Sequence, residues 1–245
     1  MTAGGRTSAA KTPSGETTPD GMTRALRGIW PNLPVLAVIS ALCCLALVPP
    51  LLVSPGPTPI GVLLAAALLG PVWMAAISVT DGIVDGQDRS LRDLFTGLPR
   101  LAGAGLRTAA VPAALAASAL LAGGMYSARP SAVWLLPCIA VSGAGLVFAV
   151  LALPFAFSWR LVTGQSGRRL WFAACVQALA RPVLALGTLA FAALSVLAGT
   201  SWAVSLLMLT PGPLALICSV ASRAARRDLG LLPAPPTEPR KDADL

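Results

Sequence analysis

Leu33–Val53 reads LPVLAVISALCCLALVPPLLV, and Pro59–Val79 reads PIGVLLAAALLGPVWMAAISV. Each is 21 residues long, and neither holds an Asp, Glu, Lys or Arg. A helix that crosses the hydrocarbon core of a bilayer needs about 20 such residues. Between them stands Ser54-Pro55-Gly56-Pro57-Thr58, whose Pro and Gly are turn chemistry. The pair reads as a transmembrane hairpin.

Working outward, four more uncharged apolar stretches follow, at 108–124, 133–157, 182–198 and 201–221. The third and fifth of the six are short, and the reading extends each by a few flanking residues. The composition agrees, with 56% of residues apolar, 11% charged and a mean hydropathy of +0.76. Soluble domains carry about a quarter charged residues, so a soluble enzyme is excluded. The chain has no His, which removes His-based acid–base chemistry and His metal ligands. Its five Cys show no CxxC spacing and read as buried small residues or free thiols.

The distribution of charge orients the spans. Lys and Arg resist translocation and gather on the cytoplasmic side. Arg6, Lys11, Arg24 and Arg27 precede the first span. Arg89, Arg92, Arg100 and Arg107 follow the second, and Arg160, Arg168, Arg169 and Arg181 follow the fourth. Five more, from Arg223 to Lys241, follow the sixth, whereas the opposite loops hold only Arg129. The expectation is an all-α polytopic bundle of six spans with both termini cytoplasmic. The net charge of +8 then faces anionic lipid, and nucleic acid is not a partner. Residues 1–23 and 230–245 read as disordered polar tails around a membrane domain at 24–229, and the first span as its own insertion signal. Trp30, Trp134, Trp159, Trp171 and Trp202 fall at span ends, as interfacial anchors do.

The outer connections are too short to recognise anything, so the inner loops carry the candidates. Ser90-Leu91-Arg92-Asp93 has capping-box form, and Leu91, Leu94, Phe95 and Leu98 recur at helical spacing behind it. Arg168–Leu179 puts Arg beside Trp171 and Phe172. Both read as short amphipathic cytoplasmic helices that lie in the lipid interface or dock a partner, with Phe95 and Trp171 as the side chains to test. Gly86–Phe95 and Gly164–Phe172 also resemble each other, each after a span containing a Pro.

Two further groups stand out. Asp81, Asp85 and Asp88 follow the second span, and the first two share a face if the helix continues. They read as a cation or partner site, or as a solvated helix end paired with nearby Arg, and the second reading is favoured. Thr210-Pro211-Gly212-Pro213 lies inside the sixth stretch, where two Pro remove backbone donors. The expectation there is a kink or break near mid-membrane, which lines a substrate site in many transporters and is a packing feature elsewhere. No phosphate loop, nucleophile elbow or Walker motif occurs. No enzymatic activity, cofactor or metal is therefore expected.

Six short-looped spans with Gly70-Pro71 in the second resemble the YesL-like family of bacterial membrane proteins. Val84-Asp85-Gly86-Gln87-Asp88-Arg89-Ser90-Leu91-Arg92-Asp93-Leu94-Phe95 is similar to that family's inner loop, V-x-G-x-D-x-S-x-x-D-F-F. Ala178-Leu179-Ala180-Arg181-Pro182 resembles its A-x-R-x-P lead-in to the fifth span, and Pro213 its late Pro in the sixth. The resemblance covers about 24–229, and the Ala-rich spans and long polar N-terminal tail depart from it. It implies a multi-pass protein of a bacterial plasma membrane, associated with carbohydrate ABC transport systems, and it brings no catalytic residues. The expected function is that of a non-enzymatic accessory protein beside a permease. The alternative is a small stand-alone transporter with its site at Thr210–Pro213.

Overall fold

The computed structural model describes residues 20–54, 56–85, 87, 89–201 and 210–228. Asp88 and 202–209 lie outside these, as do both tails apart from 20–23, which are helical. Among the described residues the chain is all-helical. The helices are α1 Asp20–Val53, α2 Pro59–Val84, α3 Leu91–Ala128, α4 Leu135–Thr163, α5 Arg168–Ala180, α6 Pro182–Ser201 and α7 Pro211–Asp228.

Four of these helices, α1 (over Asn32–Val53), α2, α3 and α4, are long and apolar enough to cross a membrane. The bent pair α5–α6 makes a fifth candidate. The expected sixth span, 201–221, is described only from Thr210 onward and at Ser201. Large apolar side chains such as Leu52, Val141 and Val183 stand exposed on the helix faces. Such a surface suits lipid, because apolar patches of this extent are rare on soluble monomers.

The helices are longer than the uncharged stretches that define them. Helix α2 runs five residues past Val79 and takes Asp81 inside it, and α4 runs past Phe157 and takes in Arg160. The expectation of two separate short helices in these loops holds for one of them. Residues 90–98 form no helix of their own and are the first turns of the 38-residue α3. Its start is fixed as the S-x-x-D spacing requires, with the Ser90 N–H donating to Asp93 Oδ2 at 3.0 Å. The helix then continues through Pro99 and Pro112. Packing explains the continuity: Leu94 is buried with Val35 and Ile39 of α1, Val79 and Ile83 of α2 and Leu216 of α7, and Leu98 packs against them. That burial holds the first turns in line with the span across a missing hydrogen bond.

Helix α5 is separate. Gly164, at φ +64°, ends α4 in the left-handed conformation that glycine adopts freely, and its N–H reaches the Arg160 carbonyl. Pro182 ends α5 because the residue before a proline avoids helical geometry, and Arg181 sits at φ −133°, ψ 66°. The chain turns by 96° there into α6. Leu170, Ala174, Gln177 and Ala178 face inward, Ala174 and Ala178 packing on Ala152, Phe155 and Ala156 of α4, while Phe172, Val176 and Leu179 face out.

Helix α2 is the centre of the bundle, touching α1, α3, α4 and α7. It meets α3 backbone to backbone. A Cβ on Gly105 would overlap the Gly70 carbonyl, and one on Gly70 would stand 2.8 Å from Ala109 Cβ. Small residues permit such approach in membranes, where packing replaces the hydrophobic drive.

Candidate functional site

The C-terminal ends of α2, α4 and α7 meet in a polar cluster. From α2 come Thr80, Asp81 and Asp85, from α4 Ser158, and from α7 Ser219, Ser222, Arg223 and Arg226. On α7 those four residues fall at i, i+3, i+4 and i+7, so one face of the helix carries all of them.

Asp81 is the hub. Its Oδ2 lies 3.5 Å from the Arg226 guanidinium and accepts from the Ser158 hydroxyl at 3.4 Å. The Ser222 hydroxyl donates to Ser158 Oγ at 2.8 Å, and the hydroxyls of Thr80 and Ser219 share a hydrogen bond of 2.7 Å. Only 16% of the Asp81 side chain and 5% of the Arg226 side chain remain exposed. Asp81 Oδ1 and Arg226 Nε are buried without a hydrogen-bond partner among the described residues. One turn further in, Asp85 pairs with Arg223, which also donates to the Val84 carbonyl at 2.9 Å. That pair is more open, with Asp85 47% exposed.

This changes one expectation. The carboxylates after the second span do pair with Arg, but Asp81 is not at a solvated helix end. It is enclosed because α2 continues past it and α7 crosses over it. Asp88 lies outside the described residues. Pro211, Gly212 and Pro213 form the first turn of α7, and Thr210 precedes it as a bend. A helix start tolerates Pro, and the residues before it, 202–209, on which the expected mid-span break depends, lie outside the described residues. The Gly212 N–H, a donor without an intrahelical acceptor, is satisfied by the Ser40 hydroxyl of α1 at 2.9 Å. A Cβ on Gly212 would press on the Leu36 carbonyl, so α7 starts against the α1 backbone.

Phe95 is 54% exposed beside buried Leu94, and Trp171 packs partly into the α4–α5–α6 cluster. Neither reaches the polar cluster. The residues that build it from α4 and α7 were not singled out in the sequence. The signal was present as the spacing of Ser219, Ser222, Arg223 and Arg226.

Among the described residues no group of three or more Cys, Asp and Glu stands close enough to hold a metal ion. The cluster offers one enclosed carboxylate with an open oxygen, an Arg that can leave or hold it, and a short chain of hydroxyls. Such a group can fix one packing of three helices, or exchange its partner for a proton or cation. Comparison with protein-family models, curated proteins and solved structures gives no match.

Proposed function

We propose that this chain is a non-enzymatic, six-span protein of a bacterial plasma membrane that works as an accessory beside a carbohydrate ABC permease, as the YesL-like resemblance implies. The observation that supports a partner-binding role is the outward face of α5. Phe172 is 74% exposed, and Val176 and Leu179 stand with it on the face of α5 opposite to the one packed on α4. The polar cluster then has a structural task, holding the inner ends of α2, α4 and α7 so that this face is presented in a fixed orientation.

Affinity purification from native membranes tests the proposal. The wild type should retain a permease subunit, and Phe95→Ala with Trp171→Ala should lose it. A scramble of 168–179 that keeps composition should lose it too. If the scramble retains every partner, the segment is a lipid anchor and the docking idea is wrong. Thiol labelling at Ser127→Cys and Ser166→Cys, in a background without native Cys, tests the orientation. External reagent should reach 127 and not 166.

A second reading has its own observation, the open oxygen on Asp81 inside a bundle in which α7 starts at Pro211. A stand-alone transporter would use that carboxylate for coupling. Purified protein in liposomes should then show cation- or proton-driven uptake that Asp81→Asn abolishes. Absence of uptake across a panel of sugars and ions would retire this reading.

A further inference from the structure

A cavity of about 420 Å³ lies between α2, α3 and α4, with Leu214 of α7 also lining it, and its lining is apolar throughout. Trp73 stands on one wall, Pro112 and Ala113 on the second, and Leu153 and Phe157 on the third. Thr108 lies one helical turn before Pro112, and Arg160 nearly one turn after Phe157, so both rows run inward to a polar end. There the Arg160 guanidinium donates to Thr108 Oγ1 at 3.2 Å, and the Thr108 hydroxyl donates to the Ala104 carbonyl.

Arg160 is 9% exposed and forms no ion pair with a carboxylate among the described residues. Arg223 and Arg226, by contrast, each have an Asp. A second cation, Arg107, is exposed beside Thr108. A nearly buried guanidinium without a counter-ion is costly, and its planar fork matches phosphate oxygens. The cationic end thus follows the apolar rows along the α3–α4 seam, about one helical turn beyond the cavity lining.

We propose that this seam is a binding site for an anionic phospholipid, with an acyl chain in the cavity and the phosphate on Arg160 and Arg107. Thr108 positions Arg160 and is not itself a phosphate ligand, since its hydroxyl is already engaged on both sides. From Arg160 to Leu146, at the far end of the lining, the α4 row covers about 21 Å at the rise of an α-helix. That depth accommodates a chain rather than a small solute.

Trp73 reports directly on the cavity. A form with Trp30, Trp134, Trp159, Trp171 and Trp202 changed to Phe keeps it as the single indole. Reconstituted with acyl-brominated phosphatidylglycerol, it should be quenched at about tenfold lower mole fraction than with brominated phosphatidylcholine, the difference one charge-assisted contact makes. Arg160→Gln should erase that preference, and Arg107→Gln should reduce it. Ala113→Leu, which fills the cavity, should abolish quenching by both lipids. Millimolar inorganic phosphate should not restore emission. If it does, the seam holds a free anion and the lipid assignment is wrong. Equal quenching by the two lipids overturns the proposal. If Arg160→Gln does not fold, an unchanged preference in both Arg107→Gln and Ala113→Leu overturns it equally.

Discussion

The α1–α2–α7 side of the bundle and the α5–α6 arm are built from similar residues and packed in opposite ways. On the first side, with α3 and α4 against it, backbones touch at Gly212 and at Gly70–Gly105, and four Ser and Thr hydroxyls and two ion pairs join the C-terminal ends of α2, α4 and α7. On the arm, Gly187 of α6 has nothing near it, and Val183 and Leu186 are exposed. Ala-rich sequence alone does not distinguish the two. What separates them is whether small residues coincide with a partner's backbone. The tight side is set as a scaffold, and the arm leaves an apolar face uncovered by the described residues.

The strongest way to break that contrast is to remove its hub. Asp81→Ala leaves Arg226 buried without its charge partner, which costs about 3 kcal/mol in comparable buried pairs. Thermal unfolding in detergent should show it as a large drop in midpoint, and adding Arg226→Leu should recover much of the loss. Asp85→Ala, from the more open pair, should change stability by no more than about 1 kcal/mol. Equal effects at the two positions would mean that enclosure of Asp81 does not matter.

Gly105→Ala against Gly187→Ala sharpens the same contrast on the backbone. A methyl at 105 must push α3 away from the Gly70 carbonyl, an overpacking cost of about 1–3 kcal/mol. A methyl at 187 meets open space and gains helix propensity of up to about 1 kcal/mol. Opposite signs are expected in the same unfolding assay. Matching losses would show that α6 is packed as closely as α2.

The first four hydrophobic spans and the capping box at Ser90 were legible in the sequence because each is a local pattern. Where the helices end was not. Asp81 and Arg160 are read as loop residues when charge marks the membrane boundary, yet both sit within helices, each joined to a side chain of another helix. The short helix expected at 90–98 likewise proves to be the start of α3, because the burial of Leu94 and Leu98 carries the helix through Pro99. The candidate site escaped for the same reason. Its Asp was visible, but Ser158 and Arg226 become its partners only through contacts 77 and 145 residues away in the chain.

The smallest expected effect lies on the outer face of α5, and it is the most informative about function. Phe172→Ser removes a ring that is 74% exposed and touches little of the bundle. Surface changes of this kind fall within about 0.5 kcal/mol, so the unfolding midpoint should not move. Ala174→Leu, two residues on and fully buried against α4, should destabilise by about 1–3 kcal/mol through overpacking. The pair separates the two faces of one short helix. If Phe172→Ser leaves folding intact and releases a co-purifying membrane partner, the outward face is a recognition surface. If it lowers the midpoint as far as Ala174→Leu does, the ring is buried by this chain's own fold, and the arm belongs to the scaffold.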